Sequence, residues 1–117
     1  MSRMERVNET VKREISLIVQ QELGDPRLQF ATITRVEVSR DLQHGKVYFS
    51  VLGDQTAIEQ AEHGFEAARG MVRRLLGKRV QMKFLPELNF FYDKSLDYVI
   101  HLDETIERLK NESEKSS

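Results

Sequence analysis

The 117-residue sequence contains no cysteine. That excludes a disulfide framework, a thiolate zinc site and a cysteine nucleophile, and nothing in the chain calls for an oxidising compartment. No apolar run approaches the roughly 20 residues that cross a bilayer. The opening Met1-Ser2-Arg3-Met4-Glu5-Arg6 leads into charged residues, not into the apolar stretch of a secretory signal. The glycine-rich phosphate loops of nucleotide enzymes are missing as well. Overall charge is nearly absent, with a formal net value of −1. These absences describe a cytoplasmic protein without a membrane partner. Hydrophobic residues at 39% supply one modest core, and charged residues at 32% a heavily solvated exterior.

A further absence is local. From Ala67 to Leu85 there is no Asp or Glu, yet Arg69, Arg73, Arg74, Lys78, Arg79 and Lys83 all fall there. Charge clustered on one element attracts a polyanion even when the total is near zero. The competing account is a solvated helix face whose basic C-terminal end suits the helix dipole. A cationic run with no counterions sits less comfortably with that account.

Periodicity places this run in a fold. Val7, Val11, Ile15, Ile18 and Val19 recur at three- and four-residue steps and predict an amphipathic helix over Arg3 to Leu23. Gly24 is its expected C′ residue and Pro26 prevents continuation. Phe30 to Ser39 is rich in β-branched residues, and its apolar phase shifts by one near Arg35, the mark of a bulge. After turn chemistry at Asp41 to Gly45, Lys46 to Leu52 forms a second strand, paired with the first as an antiparallel hairpin. Thr56 and Glu59 match a capping box. A helix follows with Ile58, Ala61, Phe65 and Ala68 at core spacing, and Gly64 inside it costs about 1 kcal/mol relative to Ala. Gly70 is expected to end or kink it, so that Met71 opens a second helix running to Gly77. Val80, Met82 and Phe84 alternate as a third strand, interrupted by Pro86 and resumed at Leu88 to Tyr92. The result is an α+β domain in the order helix, strand, strand, helix, kink, helix, strand. Its three-stranded mixed sheet, in order 1-2-3, carries helices on one face. Ile100, Ile106 and Leu109 allow a short terminal helix, and Asn111 to Ser117 reads as a disordered tail.

Two helices meeting at a glycine among cations is the layout of a KH domain, where a tight loop clamps a nucleic-acid backbone. The blocks around it are specific as a set. They are Gly24-Asp25-Pro26-Arg27-Leu28, Val36-Glu37-Val38-Ser39-Arg40-Asp41-Leu42, Lys46-Val47-Tyr48-Phe49-Ser50-Val51 and Arg73-Arg74-Leu75-Leu76-Gly77-Lys78-Arg79. Leu85-Pro86-Glu87-Leu88-Asn89-Phe90-Phe91-Tyr92-Asp93-Lys94-Ser95 completes them. In this order and spacing the chain resembles the bacterial ribosome-binding factor A family.

The resemblance implies a single type II KH domain over residues 3–95, with residues 96–117 as an extension. It implies that an Ala-x-Gly kink, here Ala68-Arg69-Gly70, replaces the usual loop. It further implies a monomer that binds the free small (30S) ribosomal subunit late in assembly. Such a factor assists maturation of 16S rRNA, including its 5′ region, supports growth in the cold, and leaves with help from an assembly GTPase. The contact surface carried over comprises Ala68, Arg69, Gly70, Arg73, Arg74, Lys78, Arg79 and Lys83, with Arg6 and Arg13 from the first helix. No enzyme activity and no cofactor are implied.

Other chemistries are poorly supported. His44, His63 and His101 are dispersed, without the spacing of a metal site or a base–nucleophile couple. Glu87 and Asp93 near Tyr92 read as turn polarity, and Ser39 and Ser50 lack a base. Phe90, Phe91 and Tyr92 resemble a stacking platform in composition. Alternation along a strand assigns them instead to core on one face and partial exposure on the other. A protein–protein adaptor without an RNA role is the alternative class, with Asp103, Glu104 and Glu107 as its surface.

Overall fold

The computed structural model of the chain describes residues 1–95. The expected terminal helix, the tail, His101 and the acidic adaptor surface lie outside the described residues. Helix α1 covers Arg3–Gln21 and is capped by Ser2, whose hydroxyl accepts the Glu5 N–H at 3.1 Å. It buries Val11, Ile15, Ile18 and Val19, the predicted stripe. Glu22 closes it, and the left-handed residue that turns the chain is Gly24 at φ +60°, one position beyond the C′ place expected of it. Asp25 then caps a 3-10 turn, Pro26–Leu28, by accepting the Arg27 N–H at 2.9 Å and the Arg27 guanidinium in a fork. That fork holds the Asp25 carboxyl below the usual carboxylate range.

Strand β1, Ala31–Val38, pairs antiparallel with β2, His44–Val51, and β3, Glu87–Tyr92, lies parallel to β2. The sheet order is β1-β2-β3, as predicted. The register slips between Ile33 and Arg35, so the foreseen bulge is present. It lets Ile33, Val36 and Val38 all point inward in spite of their odd spacing. The hairpin turn is organised by Asp41, which accepts from the Ser39 hydroxyl and the Gln43 N–H. Gly45 is not part of this turn but a buried β2 residue, where an added Cβ would stand 3.1 Å from Leu88 Cδ2.

Helix α2 departs most from expectation. It runs unbroken from Gln55 to Arg79. Its cap is Asp54, which accepts the Ala57 N–H at 3.0 Å, so the Thr56–Glu59 capping box does not form. Neither Gly70 nor Gly77 stops it, and Met71 opens nothing. The reason is packing: Ala61, Phe65, Val72 and Leu76 are fully buried on one stripe that crosses Gly70, and Gly77 is seated against Leu85, whose Cδ2 an added Cβ would meet at 3.0 Å. Tertiary burial outweighs a glycine cost of about 1 kcal/mol. Phe65 is the centre of the core, 4.6 Å from the Phe49 ring and stacked on Phe90 at 4.7 Å.

Residues 80–86 do not form the first half of a strand. They make a connection whose end is tied down by Arg73, which donates to the carbonyls of Leu85 at 2.8 Å and Pro86 at 3.1 Å. The strand starts only after Pro86, where Glu87 N–H reaches the Gln43 carbonyl. Both helices therefore cover one face of the sheet, and among the described residues the other face carries no packed element. Among those residues no helix is long and apolar enough to cross a membrane.

Gly64 is buried because the Pro26–Leu28 turn rests on it; a Cβ there would meet Leu28 Cδ2 at 3.0 Å and Arg27 Cβ at 3.3 Å. We expect Gly64→Val to cost about 1–3 kcal/mol through overpacking. Urea unfolding measures this, and an unchanged midpoint would show that the turn moves aside freely.

Candidate nucleic-acid interface

Helical geometry divides the cationic run into three groups. An α-helix turns by about 100° per residue, which puts Arg74 and Lys78 roughly opposite the buried Val72 and Leu76. Both are exposed, and among the described residues they have no hydrogen-bond or ion-pair partner. They form a bare cationic crest. Arg69 and Arg73 lie on the flank facing β3. Arg69 donates to Asn89 Oδ1 at 3.1 Å and pairs with Glu66 at 3.3 Å, both exposed contacts of small energetic weight. Arg73 is half-buried and holds the two carbonyls already described. Its charge is not cancelled, because carbonyls carry only dipoles.

The third group faces α1. Arg79 pairs with Glu14 and Glu22, each at 3.2 Å. The Glu14 contact, then the Glu22 contact, raises the guanidinium pKa above its ordinary value. Arg79 is therefore largely neutralised and pins the end of α2 to α1. Arg6 and Arg13 are exposed and line a groove of about 550 Å³ between α1 and the start of the connection, together with Arg79 and Met82. Arg13 leans on Glu14 at 3.6 Å. Lys83 is exposed in the connection, beside the Phe84 ring. So Arg69 and Arg73 border the β3 side of α2 and Arg74 and Lys78 its solvent side, whereas Arg79, Arg6 and Arg13 belong to a separate groove.

The Ala68-Arg69-Gly70 segment is helical. Ala68 packs against the core, Arg69 reaches the sheet edge, and Gly70 is exposed in right-handed helix. A Cβ on Gly70 would touch nothing within 4 Å. The glycine thus leaves a notch in the helix surface, not a turn in the backbone. The notch opens onto a hollow of about 160 Å³ shared by Arg69, Gly70, Arg73, Glu87 and Leu88. Arg73 also borders the adjoining hollow of about 390 Å³ with His44, Phe84 and Leu85. The two make a groove along the β3 edge with guanidiniums on one wall and a single carboxylate, Glu87, on the other. An extended polyanion backbone fits such a wall, since forked donors suit phosphate oxygens and the notch admits close approach.

Sequence reasoning missed Asn89, the partner of Arg69, although it lies within the Leu85 to Ser95 block. It also missed Glu14 and Glu22, whose pairing with Arg79 joins positions 65 and 57 residues apart.

A family model described as ribosome-binding factor A matches residues 3–106. The chain belongs to the ribosome-binding factor A family. Ribosome-binding factor A of Halothermothrix orenii is 42% identical over 112 residues, covering 96% of this chain and 92% of that protein. The Desulfitobacterium hafniense protein is 42% identical over 113 residues, covering 97% and 90%. Among solved structures, the crystal structure of Thermus thermophilus ribosome-binding factor A superposes with a TM-score of 0.70 at 27% identity. It covers 78% of this chain and 97% of that one. A homology model of the Thermus thermophilus factor, fitted into a cryo-electron microscopy map of a 30S complex, superposes at 0.63 with 27% identity. The coverage is 81% and 97%. The KH-like α+β architecture of ribosome-binding factor A is therefore the architecture of this chain.

The clasp by Arg73 and the bareness of Arg74 separate two adjacent arginines. Arg73→Met is expected to cost about 1.5–3 kcal/mol by freeing the 80–86 connection, and Arg74→Met less than about 0.5 kcal/mol. Thermal unfolding of both variants checks this; equal losses would remove the structural role of Arg73.

Proposed function

We propose that this chain binds the free small ribosomal subunit late in its assembly and assists maturation of 16S rRNA, including its 5′ region, without catalysing a reaction. The observation that carries this reading is the bare Arg74–Lys78 crest beside the Gly70 notch, in a member of a family named for ribosome binding. The Thermus thermophilus relative fitted into a 30S map lends it support. Residues 3–95 act as the RNA-binding unit, in the cytoplasm and as a monomer, and release with help from an assembly GTPase runs through the subunit.

The mechanism is selective stabilisation. A factor that holds one arrangement of immature RNA more tightly than another shifts the population by the difference in binding free energy and by nothing else. Arg69 and Arg73 grip phosphates along the β3-edge groove, and Arg74 and Lys78 meet them from the adjoining crest. Lys83, and Arg6 and Arg13 in the second groove, extend the contact. Each phosphate neutralised steepens the log–log salt dependence by about 0.7 on a single strand and about 0.9 on a duplex. A chain with a net charge of −1 binds RNA only where its cations are gathered, which favours a shaped ribosomal site over RNA at large.

Sedimentation of the chain with free subunits across a salt series tests the proposal. Binding should fall steeply with salt, and Arg74→Glu with Lys78→Glu should weaken it roughly tenfold or more with the fold intact. Gly70→Ala should stabilise α2 by up to about 1 kcal/mol and yet weaken binding, because its Cβ fills the notch. Undiminished binding by the double variant at moderate salt would defeat this assignment.

A further inference from the structure

The sheet face that no element among the described residues covers carries a row of side chains that the helix-face grip does not use. Register places Arg35 of β1 opposite Tyr48 of β2, and Tyr48 opposite Phe91 of β3. The Arg35 guanidinium lies over the Tyr48 ring, 4.0 Å from its centroid, and the Tyr48 and Phe91 rings are 5.7 Å apart. Phe91 is 43% exposed, an unusual position for a large apolar ring with a core available on the other side of its strand. Lys46 and Lys94 stand beside the pair and border the same shallow hollow of about 310 Å³.

The row is held in place from below. Asp93 is buried and accepts from the hydroxyls of Thr34 and Ser95, with Arg35 3.9 Å away. Glu37 takes the other side of Arg35 at 3.2 Å. The guanidinium is thereby held over the Tyr48 ring, which leaves the exposed Phe91 ring as the open plane. Both carboxylates are engaged, whereas Lys46 and Lys94 have no ion-pair partner among the described residues. Exposed aromatic planes on a sheet, bordered by cations, take unstacked nucleobases while the cations meet the flanking phosphates.

We infer that the open sheet face, centred on Phe91 beside the Arg35-covered Tyr48, is a second RNA contact that stacks an unpaired base on the Phe91 ring. The inference rests on the chain being an RNA binder, but it uses a surface other than the α2 crest. A path joins the two. Arg69 at the groove reaches Asn89, and Asn89 is two residues from Phe91 on the same strand. A single strand whose phosphates lie along the β3-edge groove can therefore turn over that edge and lay its next base on the Phe91 ring.

The chain has no tryptophan, so Phe91→Trp places a sole indole fluorophore in the row. The full chain carrying it is titrated with a short oligouridine and with an RNA duplex of equal length. Quenching by the single strand and none by the duplex is the expected result. In parallel, Phe91→Leu should weaken oligouridine binding roughly 5- to 150-fold, with Phe91→Trp keeping it, because leucine preserves apolar area but offers no π-face. Circular dichroism of each variant excludes unfolding. Equal binding by Phe91→Leu, the outcome expected of an apolar protein-docking face, would overturn the inference. So would quenching by the duplex to the same extent, or no oligouridine binding by the native chain. If Arg74→Glu with Lys78→Glu still loses the small subunit while Phe91→Leu binds oligouridine normally, the platform fails and the helix-face grip stands.

Discussion

The placement of Phe65 between Phe49 and Phe90 governs the rest of the molecule. Those contacts, at 4.6 and 4.7 Å, clamp α2 to the two parallel strands. A helix fixed on that line must carry its stripe onward through Val72 and Leu76, and so it cannot break at Gly70. Because α2 stays helical through the glycine, the cations after it are distributed by helical phase and not by a loop. Arg69 and Arg73 fall to the β3 edge, Arg74 and Lys78 to solvent, and Arg79 to α1. Surface electrostatics thus descend directly from core packing.

The division of labour among the arginines matters for how charge is read. Arg79 is bound by two carboxylates and serves assembly of the fold. Arg73 spends its donors on backbone carbonyls and yet keeps its field. Arg74 and Lys78 spend nothing. Six cations without a nearby acid in sequence therefore become, in three dimensions, a smaller bare crest backed by cations with structural duties. That pattern accounts for how an almost neutral chain presents a local anion site.

Much of this was legible in the residues. The stripe of α1, the hairpin, the bulge near Arg35 and the parallel pairing of β3 all follow from periodicity and topology rules. Most of the errors share one cause. Local signals for stopping a helix at Gly70 or Gly77 and starting a strand at Val80 were overridden by long-range contacts, whereas the cap at Thr56 lost to a neighbouring local cap, Asp54. Gly64 and Gly77 are small because Leu28 and Leu85 press on them, which no local rule can see. Val80 to Pro86 alternates like a strand but has no free strand edge to join until the Arg73 clasp has passed. At the site, residue types were readable and partners were not: Glu14, Glu22 and Asn89 reach their arginines across distant parts of the chain.

The slip at Ile33/Arg35 has an effect beyond accommodating an extra residue. In an ordinary strand, what is buried dictates by parity what is shown, so core and exterior cannot vary separately. Here the first half of β1 follows one parity and the second half the other. Ile33, Val36 and Val38 can all face the helices while Arg35 and Glu37 face out. The exterior lattice of the sheet is in this way released from the hydrophobic code of its interior, and selection can retune one without renegotiating the other.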